Sequence, residues 1–379
     1  MRRISHILLF CFCLLSCKER NSQASTSQAI PKSASKTSVV VGAARIDQYL
    51  PLVAGKRVAL LTNQTGRVGN RSTAAYLKSK GVNVTLILTP EHGLSGKAAP
   101  GASVGNSVDA ETGIPVYSLY KGGFTPPGDK EMNRFDVLLS DMQDVGVRFY
   151  TYYISMVRMM DVCADYHKKM IVLDRPNPNG HYVDGPVLDM KYKSEVGWLP
   201  IPVVYGMTMG ELALMVNGEH WLTDGRDCEL RVVTCLHYTH RTLYILPVSP
   251  SPNLPNMRSV YLYPSLCLFE GTQVSVGRGT PTPFQSYGVK AQNYWTDLSK
   301  LTDKEAKETG FSLNYLVEAY HKLHQGDKFF TPFFEKLIGV GYVRKMVMDG
   351  KTADQIQQKW EPDVERFKKL RKEYLLYKE

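Results

Sequence analysis

This 379-residue sequence lacks the motifs of several common enzyme classes. No G-x-G-x-x-G or Walker pattern follows an apolar run, so a bound nucleotide is not expected. No C-x-x-C, H-x-H, H-E-x-x-H or D-x-D spacing is present, so no zinc site is indicated. No Ser-His-Asp order and no nucleophile elbow point to a serine hydrolase. We therefore expect neither a cofactor nor a metal.

Acidic residues are outnumbered, with 36 Asp and Glu against 46 Lys and Arg, which gives a net charge of +10. This balance favours an anionic partner such as an acidic polymer or a membrane surface. Outside the C-terminal helix no run of Lys and Arg is interleaved with aromatic residues, so no nucleic-acid partner is predicted. Hydrophobic residues make up 43% of the chain, enough for a globular core.

Cysteines are few and widely spaced, seven in all. Three lie in the first 17 residues, and the others are Cys163, Cys228, Cys235 and Cys267. Cys228 and Cys235 could pair in an oxidising compartment, but the spacing favours buried free thiols.

The N-terminus has the pattern of an export signal. Arg2 and Arg3 precede the apolar residues 7–15, a run too short to span a bilayer permanently. The run ends in Leu-Leu-Ser-Cys at residues 14–17, which resembles the lipobox of bacterial lipoproteins. We predict a signal peptide over residues 1–17, lipidation of Cys17, and a flexible polar tether over residues 18–38. The protein would then be exported and anchored to a bacterial membrane, facing the periplasm or the cell surface. A cleaved signal peptide without lipidation is the alternative.

From residue 39 onward, short apolar runs alternate with helical stretches. Strands are predicted at residues 56–61, 82–88, 114–119, 135–139, 169–173, 201–205, 228–233 and 242–246. Helices are predicted at residues 72–80, 152–167 and 209–216, and a basic helical region follows residue 312. This alternation predicts an α/β fold, with a Rossmann-like parallel sheet and helices on both faces. We predict a Rossmann-like catalytic domain over residues 39–250, and a smaller C-terminal α+β domain over residues 251–379 that completes the cleft.

Polar residues follow the predicted strands at equivalent positions. They are Asn63, Glu91, His92, Asp141, Asp144, Asp174, Arg175 and Asn177. Because ligands in such folds bind at the carboxyl ends of the strands, we expect these side chains to share one site. The pair Glu91 and His92 lies in a rigid turn between Pro90 and Gly93.

Further candidates come from three other stretches. Arg148, Tyr150 and Tyr152 resemble the wall of a carbohydrate site, although a core cluster is the alternative. Glu270 and Arg278 flank a segment where the backbone or the arginine could approach a ligand. Arg175 either pairs with Asp174 or is free for an anionic ligand. Glu211 fits a capping box and is left out of the site.

These residue types favour hydrolysis with carboxylates as acid and base. A metal-assisted hydrolase is the competing hypothesis, since Glu91, His92, Asp141 and Asp174 could ligate an ion.

Eight motifs make the sequence resemble the bacterial exo-β-N-acetylmuramidases, long known as a domain of unknown function. They are TNQTG (62–66), PEHG (90–93), DMQDVGVRFYTY (141–152), DRPNPNG (174–180), GMTMGELA (206–213), PSPNLP (250–255), CLFEGT (267–272) and GRGTPTPF (277–284). The resemblance runs from about residue 39 to the end. One position departs from it, because Tyr205 stands where the family commonly has His.

The resemblance implies a peptidoglycan-salvage glycosidase that releases N-acetylmuramic acid from the non-reducing end of cell-wall fragments. Glu91 is then expected to act as general acid, kept protonated by burial or by a neighbouring carboxylate such as Asp141 or Asp144. Arg148, Arg175 and Arg278 are candidates to bind the lactyl carboxylate of the sugar. Three candidates remain for the second catalytic group. They are a carboxylate that acts as nucleophile, a carboxylate that acts as base, and the acetamido group of the substrate. A lipid-anchored muropeptide-binding protein without activity is the alternative function.

Overall fold

The structure is a computed structural model that describes residues 38–379. The predicted signal peptide, the lipidation of Cys17 and all but the last residue of the predicted tether lie outside the described residues. Within residues 38–379 no helix is both long and apolar enough to cross a membrane.

A seven-stranded sheet forms the first part of the fold. Its strands are β1 (Val58–Thr62), β4 (Val84–Thr89), β5 (Ser107–Val108), β6 (Pro115–Ser118), β7 (Val137–Asp141), β8 (Lys169–Leu173) and β9 (Leu230–Val233). The strands β2 (Arg67–Val68) and β3 (Arg71–Ser72) form a separate short hairpin. The order in the sheet is β5-β6-β4-β1-β7-β8-β9, and only β5 pairs antiparallel, with β6. The other pairs are parallel, so the carboxyl ends of β1, β4, β7, β8 and β9 meet at one edge.

Helices cover both faces of this sheet. They are α1 (Ile46–Val53), α2 (Thr73–Ser79), α3 (Asp129–Met132), α4 (Tyr152–Asp165) and α5 (Met209–Gly218). Because side chains alternate along a strand, Val58 and Leu60 of β1 join the core under α1 and α2. Ala59 and Leu61 join the core under α4 and α5. The predicted α/β class with helices on both faces is confirmed.

Local sequence signals explain where the helices begin and end. The Ser72 side chain accepts a hydrogen bond from the Ala75 amide at 3.2 Å and caps α2. Gly81, with φ of 76°, lies just beyond the end of α2, where a left-handed residue is needed. Thr208 and Glu211 form the predicted capping box at the start of α5.

The C-terminal part is smaller and mostly helical. Its elements are α6 (Met257–Leu266), β10 (Ser286–Val289), β11 (Tyr294–Asp297), α7 (Asp303–Thr309), α8 (Asn314–Leu323), α9 (Phe334–Ile338), α10 (Tyr342–Met348) and α11 (Ala353–Arg371). Its apolar side chains, such as Phe334 and Trp360, belong to the same continuous core as Leu138 of the sheet. Residues 38–379 therefore form one compact unit, and the predicted boundary at residue 250 stays a prediction.

Two predicted strands are absent from the sheet. Residues 201–205 and 242–246 form no ladder, and Val204 makes only isolated bridges, with Val147 and Asp184. The segment 201–205 is completely buried, and periodicity alone does not separate a buried extended segment from a sheet strand. The place beside β8 is taken by β9 instead.

The four cysteines in the described part of the chain are buried and free, which confirms the preference for thiols over a Cys228–Cys235 pair.

Candidate functional site

A cleft of about 480 Å³ lies at the carboxyl edge of the sheet, where the two parts of the chain meet. The residues that the first part contributes include Glu91, His92, Gly101, Tyr150, Thr151, Tyr152 and Val196. Those from the second part include Ser251, Asn253, Tyr263, Glu270, Arg278 and Phe284. A cavity therefore lies where the sequence predicts the site, at the carboxyl ends of the strands.

Glu91 is presented by a tight turn after β4. Pro90 cannot donate to the sheet ladder, and His92 and Gly93 both have left-handed backbones, with φ of 70° and 72°. The Glu91 Oε1 atom accepts a hydrogen bond from the Gly101 amide at 2.8 Å, and Oε2 accepts one from the Thr151 hydroxyl at 2.9 Å. The carboxylate is thus held in one orientation at the cleft wall, where it remains partly accessible.

His92 forms the wall between the cleft and a second cavity of about 450 Å³, which Asn63 also lines. Its Nδ1 atom lies 2.6 Å from the Ala98 carbonyl oxygen. A carbonyl oxygen only accepts, so Nδ1 carries a proton, and Nε2 is the ring nitrogen left for another partner. His92 is therefore a candidate to contact a ligand through Nε2.

Tyr150 and Tyr152 line the cleft with their rings and use their hydroxyls elsewhere. Both hydroxyls donate to the Pro250 carbonyl oxygen, at 2.8 and 3.2 Å, and Gln64 Nε2 donates to the same oxygen at 3.1 Å. Three donors on one carbonyl fix the proline-rich loop over residues 249–255. Ser251, Asn253 and Leu254 of this loop face the cleft.

Glu270 and Arg278 form an ion pair in the wall that the C-terminal part supplies. The guanidinium of Arg278 also lies 4.9 Å from the centre of the Phe284 ring. Arg278 Nε donates to Glu270, and its terminal amino groups make no hydrogen bond to any residue in the range 38–379. Because about a third of the Arg278 side chain is exposed, these groups can bind an anionic ligand.

The predicted carboxylates Asp141 and Asp174 are buried outside the cleft lining. Asp141 binds Arg175 through two hydrogen bonds of 2.6 and 2.9 Å, so Arg175 pairs with Asp141 and not with its neighbour Asp174. Asp174 accepts hydrogen bonds from Thr208, Gly210 and Tyr377. Burial raises the pKa of Asp174 to about 6.

Asp144 is likewise buried. It accepts a hydrogen bond from the Gly146 amide at 2.7 Å and another from the Tyr205 hydroxyl. Its Oδ1 atom is buried without a partner among the described residues. Burial raises the pKa of Asp144 to about 7. Tyr205, the departure from the family pattern, thus binds Asp144 and does not face the cleft.

Arg148 and Asn177 also lie in the interior. The Arg148 guanidinium donates four hydrogen bonds, to the carbonyls of Pro186, Ile201, Leu337 and Ile338, at 2.7 to 2.9 Å. It therefore links the two parts of the chain and is not available to a ligand. Asn177 Nδ2 donates to the Met207 carbonyl, and Asn177 Oδ1 accepts from the Asn179 amide.

The structure thus divides the residues singled out from the sequence. It places Glu91, His92, Tyr150, Tyr152, Glu270 and Arg278 in the cleft, and Asn63 in the neighbouring cavity. Asp141, Asp144, Arg148, Asp174, Arg175 and Asn177 line neither cavity. In the part of the chain that the structure describes, no three His, Cys, Asp or Glu side chains are grouped to hold a metal ion.

Several cleft residues escaped the sequence analysis. Thr151 stands between the two predicted tyrosines and would have been found by asking what could hold Glu91. Ser251 and Asn253 lie in the PSPNLP motif at residues 250–255, and neither was given a role in the site. Tyr263 gave no signal, because it comes from a buried helix that reaches the site only through tertiary packing.

Comparison with known proteins gives consistent results. The sequence matches the family model described as exo-beta-N-acetylmuramidase NamZ, N-terminal, over residues 58–258. The C-terminal model of the same family matches residues 261–313 and 300–377. The peptidoglycan beta-N-acetylmuramidase NamZ of Bacillus subtilis is 35% identical over 378 aligned residues, which cover 88% of this chain and 89% of that protein.

Two crystal structures of DUF1343 family proteins from Bacteroides fragilis have the same fold. One is 50% identical, with a TM-score of 0.84, and the match covers 90% of this chain and 100% of that chain. The other is 28% identical, with a TM-score of 0.75, over 90% of this chain and 99% of that chain.

Proposed function

The chain belongs to the exo-beta-N-acetylmuramidase NamZ family of glycoside hydrolases, and we propose that it removes N-acetylmuramic acid from the non-reducing ends of peptidoglycan fragments. The observation that carries the proposal is the position of Glu91. Its carboxylate is fixed at the wall of a cleft that both parts of the chain close, and an exposed arginine stands in the same cleft.

Glu91 acts in this proposal as the general acid. A glycosidic oxygen needs a proton as it leaves, and a carboxylic acid at hydrogen-bond distance supplies it. Asp141 and Asp144, the expected neighbours, are occupied by Arg175 and by Tyr205, so they do not support the protonated form. A sugar seated in the cleft would remove water from the Glu91 carboxyl group, which favours that form.

The second catalytic group is either a residue that lines the cleft or a part of the substrate itself. Glu270 is the other carboxylate in the lining, and His92 offers its Nε2 atom. The acetamido group of the sugar is the third candidate. The anomeric configuration of the first product, read by NMR, separates a base, which gives inversion, from a nucleophile or an acetamido group, both of which give retention.

Arg278 binds the lactyl carboxylate that distinguishes N-acetylmuramic acid from N-acetylglucosamine. Of the three candidate arginines, it is the one in the cleft lining, and its terminal amino groups are unused by the described residues. Arg148 and Arg175 are buried, Arg148 with both terminal amino groups on backbone carbonyls and Arg175 in a pair with Asp141.

Incubation of the purified protein with chemically defined glycan fragments tests the proposal. We expect free N-acetylmuramic acid as the first product, released only from chains with that sugar at the non-reducing end. Fragments cut internally would contradict exo action. A protein that binds the fragments but releases no sugar would instead support the muropeptide-binding alternative.

We also propose that the protein is exported and lipid-anchored through Cys17. Support for this comes from the charged and apolar residues of the N-terminal leader and from the Leu-Leu-Ser-Cys pattern.

A further inference from the structure

We propose that an apolar surface of the folded part rests on a lipid bilayer and adds a second membrane contact to the proposed anchor at Cys17. This surface, called here the aliphatic patch, consists of Leu236, Leu243, Ile245 and Leu376. The inference goes beyond the proposed function, because it concerns where the protein is held and not what it cleaves.

The aliphatic patch contains half of the large apolar side chains that residues 38–379 leave exposed. Eight such side chains are exposed in this range, and four of them belong to the patch. Leu243 and Ile245 are exposed by 63% and 67%. Single exposed apolar residues are normal on a protein surface, whereas a group of them marks a surface that contacts a partner.

Contacts between three stretches of the chain bring the patch into one region. Val40 and Leu236 exchange two backbone hydrogen bonds, at 2.8 and 3.1 Å. The His240 amide donates to the Lys378 carbonyl at 2.9 Å, so the C-terminal residues, with Leu376, lie beside the same segment. The patch therefore lies next to the first described residues of the chain.

The segment over residues 241–247 presents two of the patch side chains on a fixed backbone. It forms no ladder, but its side chains alternate, with Leu243 and Ile245 exposed and Tyr244 and Leu246 partly buried. Leu246 packs against the main core, and its amide donates to the Met257 Sδ atom at 3.4 Å. Because the inward residues hold the segment in place, the outward pair loses little conformational freedom when a partner arrives.

The start of the described chain identifies a bilayer as the partner. Ser38 comes two residues before Val40, which bridges to the patch. Only residues 18–37 separate Ser38 from Cys17, so a lipid on Cys17 would keep the patch within about 70 Å of the membrane. Such a link gives the patch a high effective concentration at the bilayer surface.

The charges beside the patch fit an anionic lipid surface. The sequence has no Asp or Glu between Glu229 and Glu270, and the exposed Arg241 lies within this stretch. Elsewhere around the patch, lysines and acidic residues balance one another. Aliphatic side chains beside a basic one bind anionic lipids weakly and reversibly, so dilution and salt release the contact and stable attachment still requires the anchor.

Vesicle binding by the folded part tests the patch without the anchor. Residues 38–379, which form one compact unit, are sedimented with vesicles of phosphatidylethanolamine and phosphatidylglycerol, and with vesicles of phosphatidylcholine. We expect binding to the anionic vesicles. The double variant Leu243→Ser, Ile245→Ser should lose at least about ten-fold in affinity, because each aliphatic side chain that leaves water contributes about that factor. Arg241→Ala should weaken binding to the anionic vesicles only.

Met348→Ser is the matched control, because it removes an apolar side chain that is 40% exposed on α10, and it should bind within two-fold of wild type. The double variant should keep wild-type activity on glycan fragments, so loss of the proposed function is observed separately. A wild-type protein that binds neither vesicle, or a double variant that binds as well as wild type, would overturn the lipid contact. A wild-type dimer in analytical ultracentrifugation that the double variant lacks would also overturn it, and would assign the patch to a second copy of this chain.

Discussion

Arg278 combines two properties that the other candidate arginines lack. It lines the cleft, and about a third of its side chain is exposed, whereas Arg148 and Arg175 are buried. Its ion pair with Glu270 holds the guanidinium in one orientation while leaving its outer amino groups for a second carboxylate. Substrate choice is therefore expected to depend on this one side chain.

Replacement of Arg278 should change substrate choice more than overall activity. We expect Arg278→Ala to raise KM for a β-N-acetylmuraminide about 10- to 100-fold, because a charged hydrogen bond contributes about 1.5–3 kcal/mol. KM for the matching N-acetylglucosaminide, which lacks the lactyl group, should change little. Arg57→Ala removes a partly exposed ion pair with Asp136, away from the cleft, and serves as control. Equal losses on both sugars would remove Arg278 from the recognition of the carboxylate.

Asp144 should make the stability of the protein depend on pH. Its pKa is about 7 in the folded protein, against an ordinary value of 3.8, so the unfolded chain ionises first. The contribution of the neutral group is fully present below about pH 4 and is lost as the pH rises to about 7. Asp144→Asn should therefore gain stability relative to wild type by roughly 2–4 kcal/mol between pH 4 and 8. Urea unfolding at both pH values measures this, and a pH-independent difference would contradict it.

The sequence predicted the residues that a local turn pattern marks better than the contacts between residues that are distant in the sequence. Glu91 and His92 could be found because a Pro-Gly turn after a strand is a local signal. Asp141 and Asp174 gave the same signal, but their partners Arg175, Thr208 and Tyr377 are 34 or more residues away. No local sequence pattern distinguishes a carboxylate that is free to bind a ligand from one that already has partners within the protein.

At the level of elements, hydrogen bonds from Tyr150, Tyr152 and Gln64 fix the loop over residues 249–255 to the first part of the chain. Loss of the two tyrosine hydroxyls should loosen this loop. We expect the double variant Tyr150→Phe, Tyr152→Phe to lose about 1–3 kcal/mol of stability and to raise KM several-fold. Tyr49→Phe removes a buried hydroxyl bound to the Ala43 carbonyl on the other face of the sheet, so it should lose stability without changing KM. Unchanged KM in the double variant would separate the loop from binding.

Two of the predicted elements that held had two independent signals each. The strand at residues 169–173 was an apolar run followed by a polar turn, and α5 had both an apolar pattern and a capping box. Residues 201–205 had only the apolar run. Their burial comes from a position under α4, where Val203 accepts a hydrogen bond from the Arg148 amide, and no local pattern specifies that position.

For the whole molecule, the cleft lies between two parts of the chain that share one continuous core. Arg148 donates to carbonyls on both sides of it, at Ile201 and at Leu337, and apolar side chains of both parts form one cluster. A cleft inside one core is pre-organised, because both walls are fixed before a ligand arrives.

The proposed anchor makes a prediction for the intact protein in its own cells. We expect wild type in the membrane fraction and Cys17→Ser in the soluble fraction, because a thiol is required for lipid attachment. Cys163→Ser, at a buried cysteine of the folded part, is the matched control and should stay with the membrane. A membrane-bound Cys17→Ser protein would contradict the lipid anchor.

The central claim is that Glu91 supplies the proton to the leaving oxygen. Glu91→Gln keeps the shape of the side chain and an acceptor for the Gly101 amide, so the fold should be preserved. The decisive measurement is kcat/KM of this variant on two substrates. One is the β-linked disaccharide of N-acetylmuramic acid and N-acetylglucosamine, and the other is the β-fluoride of N-acetylmuramic acid. Because fluoride leaves without a proton, we expect a loss of about 10²- to 10⁴-fold on the disaccharide and less than about ten-fold on the fluoride. Equal losses on both substrates, or full activity on the disaccharide, would contradict the account.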